Sequence, residues 1–458
     1  MSPASSSGWT VEACSPCCVN DNMKKAALIL CFLLFLLMSG FGVYLWTGGL
    51  FAFFPELAGL WQEQTVVANG TSEYRICTDT DDRLCEAAAA ALARELYRAT
   101  GAALPVAAEA EEGQPVIRLT IEAAPPEAES LCALTMEENG LALHLYEREQ
   151  ALALVQGFCA LWLSEEGGLC EGPSLLVDTG MLQRLSTAEP LALRPVRILT
   201  QNLRYCDDPD GNSVAERSVR FLELVNDCDP DLIGAQEVTD AWLFTFLNRF
   251  ADRYAVYGYP RGDKDAAADE WNAILFRRDR FECIGGSTFW LSETPEAVGS
   301  KLDYPGGHPR ICTWVLLRES ETGKTFLFAN THLQNGAVDE YGAYREEQLR
   351  ILFDVLRGGS NVLESYPGFL VGDFNGTEKE AFYRLAASVY RDARKTAIED
   401  RSRINFTFHN YGKAHYAILD YCFHSPTGVT VLDYQILDKD YGGYVSDHYG
   451  VLIDALLD

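Results

Sequence analysis

The chain has 458 residues, 66 of them acidic and 37 basic, a formal charge of −29, with 48% hydrophobic and 22% charged side chains. This composition excludes a disordered polymer and a broadly basic nucleic-acid binder, and the length calls for more than one folded core. The acidity is shared: residues 1–193 hold 9 Lys/Arg against 25 Asp/Glu, and residues 194–458 hold 28 against 41. It does not exclude phosphoester chemistry, because a bound divalent cation inverts the local field.

Residues 1–22 form a polar tail ahead of Met23-Lys24-Lys25, which itself reads as a natural start. Residues 23–62 are expected to be a transmembrane anchor and its juxtamembrane segment. No charged residue occurs from Ala26 to Pro55, and Ala26–Trp46 would span about 30 Å as a helix. Lys24 and Lys25 precede the span and no Lys or Arg follows until Arg75, which puts the N-terminus in the cytoplasm and the rest outside it. A cleaved signal peptide, giving a secreted protein, is the competing reading. The run is long for one, and no small-x-small site follows it. Four of the 14 cysteines precede residue 32 without zinc-site spacing; the other ten are scattered, which leaves disulfides open.

Residues 63–165 alternate strand and helix signals, as a small α/β domain would. Tyr74–Thr78, Val116–Ile121 and Leu141–Tyr146 read as strands. Asp82 is placed to cap a helix with Leu84, Ala88, Leu92 and Leu96 in step, ending at Gly101; a second helix repeats at Leu152, Val155, Cys159 and Trp162. This layout, with Thr100-Gly101 and Leu104-Pro-Val106, resembles the small domain preceding the barrel in β-hexosaminidases and α-glucuronidases. The resemblance implies a possible carbohydrate partner; a spacer without a ligand fits the same pattern. Residues 166–193, with Gly167, Gly168, Gly172, Pro173 and Pro190, read as a linker.

From residue 194 to 458 one grammar recurs: an apolar strand that closes on a polar group. Val196–Asn202 ends on an amide and Asp231–Glu237 on a carboxylate, with Val219, Leu222 and Val225 marking a helix face between them. Phe326–His332, Phe369–Asp373 with Asn375, Ile418–Asp420 and Val445-Ser-Asp447-His448 follow. A carboxylate closing a buried strand is costly unless paired or ligated. Each signal alone is weak: Gly372-Asp-Phe-Asn-Gly376 reads equally as a turn, and a lone His332 as a satisfied core histidine. Their joint order is specific.

Gln201-Asn202, Gln236-Glu237-Val238, Asn330-Thr-His332-Leu333, Gly372-Asp373-Phe-Asn375, Leu419-Asp420-Tyr421 and Ser446-Asp447-His448 resemble the motifs of the endonuclease/exonuclease/phosphatase superfamily. Phe289–Pro295 and Pro309-Arg310-Ile-Cys-Thr-Trp314 resemble its bacterial metal-dependent hydrolases. The resemblance implies an α+β fold, a four-layer α/β/β/α sandwich of two mixed sheets, and Mg²⁺- or Mn²⁺-dependent hydrolysis of a phosphoester. By the same resemblance Glu237, Asn202 and Asp447 are the metal ligands, and Asp373 and Asn375 position the nucleophile. His448 is the general base or phosphate contact oriented by Asp420, and His332 and Arg310 stabilise the charged transition state. Asn272 is a further candidate donor to substrate, or only a core-strand residue. Two departures stand out: Gln334-Asn335 replaces a common Asp-His, and Gly336–Tyr344 is slightly expanded. The function expected is a tethered, extracytoplasmic phosphoesterase acting on a small molecule, sugar or lipid head group. The alternatives are a surface nuclease, disfavoured by charge but signalled by Arg391, Arg394, Lys395, Arg401 and Arg403, and a carbohydrate-binding surface protein with an accessory phosphoesterase.

Overall fold

The computed structural model describes residues 63–457, apart from 79–81, 112, 127, 129, 164–169, 172, 192, 263–268, 305, 360 and 415–416. The apolar segment Ala26–Trp46 lies outside the described residues. Among those described, no helix is long and apolar enough to cross a membrane. The chain divides into two compact units, the larger made of residues 190–458 with 78–92 and 148–157.

The smaller unit holds two sheets. In chain order its strands are β1 (Glu63–Val67), β2 (Arg75–Thr78), β3 (Val106–Ala107), β4 (Val116–Ile121), β5 (Cys132–Glu137), β6 (Gly140–Leu145), β7 (Cys170–Glu171) and β8 (Ser174–Asp178). They are ordered β3-β2-β4-β6-β5 and β1-β8-β7. The helix Arg83–Thr100 begins where the Asp82 carboxylate accepts the Leu84 N–H at 2.9 Å, and it ends at Gly101 with φ +73°. The stretch expected to be a linker instead supplies β8 and the helix Thr179–Leu185. Leu175, Val177, Met181 and Leu185 are all buried there, and β8 pairs antiparallel with β1.

In the larger unit the strands are β9 (Val196–Asn202), β10 (Leu232–Val238), β11 (Tyr254–Tyr257), β12 (Trp271–Arg277), β13 (Phe281–Trp290), β14 (Ile311–Glu319), β15 (Thr325–His332), β16 (Gly368–Asp373), β17 (Arg391–Asp392), β18 (Glu399–Asp400), β19 (Asp420–His424), β20 (Val429–Leu437) and β21 (Gly450–Leu457). They build a seven-stranded sheet, β11-β12-β10-β9-β21-β20-β18, and a six-stranded sheet, β13-β14-β15-β16-β19-β17. Both mix parallel and antiparallel neighbours. The strands β9, β10, β12, β14, β15, β16 and β19 are buried on both faces, which is why they read as apolar runs without alternation. One core, including Ile198, Ile274, Val315, Phe328 and Val371, lies between the sheets. A second packs Leu349, Leu352, Phe353 and Phe382 of the helices Val338–Arg357 and Ala381–Val389 on the six-stranded sheet. A third packs Phe221, Leu224, Trp242 and Phe246 of the helices Val214–Cys228 and Asp240–Arg249 on the seven-stranded sheet. The result is α/β/β/α.

One helix face differs from expectation. Val219 is 57% exposed, and the buried face of Val214–Cys228 runs through Arg217, Phe221, Leu224, Val225 and Cys228. Buried Arg217 sets this register: its guanidinium donates to the carbonyls of Leu203, Arg204, Cys206 and Asn212, tying down the loop after β9. Of nine described cysteines from Cys77 to Cys422, seven are buried like small hydrophobes.

Candidate active site

Strand register places the polar ends together. In the six-stranded sheet β15 runs parallel to β16 with His332 opposite Asp373, and β19 runs antiparallel to β16 with Asp420 opposite Asp373. Three candidate side chains thus occupy one row across three adjacent strands. From the other sheet come Asn202 at the end of β9, Glu237 near the end of β10, and Asp447 and His448 just before β21.

The two halves meet through hydrogen bonds. Asn202 Nδ2 donates to Glu237 Oε1 and to Asp373 Oδ2, each at 3.0 Å. His448 Nδ1 stands 2.8 Å from Asp420 Oδ2, and its Nε2 lies 3.8 Å from Asp373 Oδ2. His332 Nε2 approaches the same Asp373 oxygen at 3.6 Å, so two imidazoles flank one carboxylate oxygen. The other oxygen of Asp373 accepts the Asn375 N–H at 2.8 Å, and Asn375 Nδ2 donates to His332 Nε2 at 2.8 Å and to the Leu333 carbonyl. Glu237 Oε2 accepts the Tyr205 N–H. Glu237 and Asn375 have φ of +57° and +50°, a left-handed backbone that costs a non-glycine residue about 1–3 kcal/mol and survives only where surroundings enforce it. The packed neighbours of each supply that constraint.

Electrostatics separate the two histidines. Burial opposes charge on His448, but the carboxylates of Asp420 and Asp373 outweigh it and hold its pKa well above the usual imidazole value. His332 is driven well below that value by burial first, then by Arg310 and Arg261. Burial, then the charge of Asp420, pushes Asp373 up to about 7. Burial and neighbouring charge thus favour the cationic form of His448 and the neutral form of His332, beside a carboxylate pushed up to about 7.

The residues present fit a hard divalent cation. Carboxylate oxygens of Glu237 and Asp373 converge on one amide, and one oxygen of buried Asp420 has no hydrogen-bond partner. Such crowding of acids is costly without a positive charge between them. Asp373, Asp420 and His448 bring one ligand atom each within 4.8 Å of one another. Within this trio His448 Nδ1 and Asp420 Oδ2 are already bonded to each other. Asp447 borders it, with Oδ2 3.9 Å from Arg204 Nε.

Asn272 does not point into this cluster: its Nδ2 donates to the Ile311 carbonyl at 2.7 Å, joining the two sheets beneath it. Two residues quoted only as motif letters have the same task. Gln236 Nε2 donates to Asn330 Oδ1 at 2.7 Å, and Asn330 Nδ2 donates to the carbonyls of Ala235 and Ala273. A fully buried amide inside an apolar strand was the available signal. Glu270 was also missed: it pairs with Arg261 at 2.9 Å and lies 3.9 Å from His332 Nδ1. It sits just before β12, as His448 sits just before β21 and Asp420 opens β19. A separate cavity of about 500 Å³, lined by Thr377, Glu378, Lys395, Asn405, Tyr421 and Tyr434, contains none of the catalytic candidates, and its Lys395 pairs with Glu378.

A two-sheet sandwich with an Asn/Glu pair facing an Asp–His–Asp cluster defines a phosphoesterase-like class of protein. Residues 199–448 match the model of the endonuclease/exonuclease/phosphatase family, and the chain belongs to that family, whose members are hydrolases acting on phosphoesters. Among solved structures, the chain is similar to a family protein from Bacteroides vulgatus at 27% identity and TM-score 0.52, over 58% of this chain and all of the other. It is similar to another from Bacteroides thetaiotaomicron at 26% identity and TM-score 0.50, over 58% of this chain and all of the other. A mannosyl-6-phosphatase from Bacteroides thetaiotaomicron matches at 26% identity and TM-score 0.49, over 57% and 100% respectively. No curated protein matches the chain.

Proposed function

We propose that this chain hydrolyses a small phosphoester, of a sugar, lipid head group or other small molecule, with Mg²⁺ or Mn²⁺, outside the cytoplasmic face of a membrane. The observation that carries the reading is the Asp420–His448–Asp373 cluster standing against Asn202 and Glu237. Tethering rests on the uncharged run after Lys24-Lys25.

Glu237, with Asn202 and Asp447, would hold the cation, which when bound supplies neutralisation of charge at a phosphoryl oxygen. Asp373 takes the proton of the attacking water, its raised pKa matching that task near neutral pH. Asn375 fixes the carboxylate through its N–H and braces His332. His448 carries positive charge to a phosphoryl oxygen, and Asp420 orients and sustains it. Water oxygen bonds to phosphorus as the ester oxygen departs and is protonated from solvent.

Small esters are favoured over nucleic acid by the fate of the basic cluster. Arg394 pairs with Asp400, Lys395 with Glu378, Arg401 with Glu399 and Asp433, and Arg403 with Asp438. Four of the five cations thus answer this chain's own acids rather than a phosphate backbone. The test is a panel of sugar phosphates, head-group esters, single-stranded DNA and RNA offered to the full-length chain and to His448→Ala. Small-ester turnover lost in the variant is expected; preferential cleavage of DNA or RNA would reject the reading.

A further inference from the structure

The cavity of about 500 Å³ is lined by residues that flank the catalytic candidates in the chain, yet by none of those candidates themselves. Thr377 follows Asn375 by two residues, Ile418 precedes Asp420 by two, and Tyr421 comes directly after it. The Tyr421 hydroxyl donates to the carbonyls of Gly376 and Ile418, which ties these two loops together. Another part of the wall, Asp392, Arg394 and Lys395, lies where β17 pairs with only His424 and Phe423 of β19.

The hydrogen-bonding capacity of this cavity is lopsided. Its carboxylates are engaged: Asp392 Oδ2 accepts from the Tyr383 hydroxyl at 2.8 Å and Oδ1 from the Arg394 N–H at 2.9 Å, while Glu378 pairs with Lys395 at 2.8 Å. Its donors are not. Arg394 uses only Nε, toward Asp400 at 2.9 Å, and among the described residues neither Nη has an acceptor. The side chains of Thr377, Lys379 and Asn405 likewise donate to nothing among the described residues. Arg394 is also held in place, with Cζ 5.8 Å over the ring of buried Tyr434, so the unengaged edge of its fork is preset. Lys395 foremost, then Lys379 and Arg394, hold the Glu378 carboxyl below its usual value, which puts three cations around one exposed acid.

A wall with unengaged donors and engaged acceptors suits a ligand made of acceptors. We infer that this cavity is an anion site for a phosphate or carboxylate group of a small molecule, next to the catalytic cluster and separate from it. Its volume of about 500 Å³ is that of a small-molecule pocket. The anion is either a second acidic group of the substrate or a free acid bound alongside it. Use by the substrate rests on the phosphoesterase reading above; the site itself does not.

Inorganic phosphate is titrated into the full-length chain by calorimetry in chelator, where the acidic catalytic cluster repels phosphate and the cavity is read alone. The wild type should bind with a Kd below about 1 mM. Arg394→Met and Lys379→Met should each weaken binding about 10- to 100-fold, the range for a hydrogen bond to a charged group. Lys379 is exposed and makes no ion pair among the described residues, so its variant carries the test should Arg394→Met fail to fold. To find the source of the anion, kcat/KM is measured with Mg²⁺ for a hexose monophosphate and a hexose bisphosphate, with and without succinate. If the substrate carries the group, the wild type favours the bisphosphate at least about tenfold, and Arg394→Met removes that preference while sparing the monophosphate. If a free acid fills the site, succinate alters monophosphate turnover in the wild type and not in Arg394→Met. Phosphate binding that is absent in the wild type, or unchanged in both variants, overturns the anion site and leaves the phosphoesterase reading intact. If no ester turns over with Mg²⁺ or Mn²⁺, that reading fails instead, and calorimetry still decides the site.

Discussion

Asp420→Asn preserves the shape of the side chain facing His448 and its acceptor oxygen, but deletes its charge. Asp420 and His448 are buried with 2.8 Å between their bonded atoms, so little solvent screens the pair. Charge centres about 4 Å apart interact by about 4 kcal/mol at an effective dielectric near 20, equivalent to roughly 3 pKa units and a 10³-fold rate effect. The sign follows from the direction of the shift. His448 has a raised pKa, so its positive charge is present at neutral pH and is lost as pH climbs through that value. Removing Asp420 brings this loss to lower pH. Initial-rate phosphate release between pH 5.5 and 9 at saturating divalent cation should show the high-pH limb of kcat/KM displaced downward. The deficit should be small at pH 6 and grow as pH rises, toward a ceiling of about 10³-fold. A variant whose profile runs parallel to wild type would refute a functional charge on His448.

Asn330→Ala strands the carbonyls of Ala235 and Ala273 and one donor of Gln236 between the sheets. It should cost about 2–4 kcal/mol in urea unfolding, and Asn330→Leu should not recover the loss. His424, buried between Thr396 and the Ser425 carbonyl, is pushed down to about 4 by burial first. The folded state therefore resists a proton that the unfolded chain accepts near 6.5. Stability present above pH 6.5 should fall by about 3 kcal/mol as pH drops toward 4, and His424→Gln should flatten that slope in urea melts at pH 7 and 4.5. Because the basic cluster is internally paired, fluorescence anisotropy should find only weak single-stranded DNA binding at 150 mM salt, with a shallow salt dependence.

The site was legible because doubly buried strands must end somewhere, and polar residues at those ends stand out against apolar runs. Asn202, Glu237, His332 and Asp373 lie at the ends of such strands, whereas Asp420 opens β19 and His448 stands in the loop before β21, so the strands expected to close on those two do not exist. What the strand ends could not show was the pairing across sheets. Asn272 sits in the same kind of strand as Asn330 and looked like a substrate donor, yet both amides are used to join sheet to sheet. Glu270 and Arg261 escaped notice because their partnership depends on a three-dimensional approach to His332 and not on spacing. In the smaller unit, β8 was hidden by flanking Gly and Pro, and its identity depends on pairing with β1 over a hundred residues away. The helix face through Val219 was misjudged for a similar reason. A buried arginine, answered by four loop carbonyls, is invisible to hydrophobic periodicity.

The most direct measurement is phosphate release by the full-length chain and by Glu237→Gln during a titration with Mg²⁺ after chelation. Glu237 faces Asn202 at 3.0 Å, so the amide variant keeps the packing and removes one unit of negative charge. Activity should be absent in chelator and return with Mg²⁺ in the wild type, while Glu237→Gln should need far more metal and remain at least about 10²-fold slower. Equal rates in chelator and in Mg²⁺, or a Glu237→Gln protein that matches wild type, would contradict a metal-assisted phosphoesterase built on these strand ends.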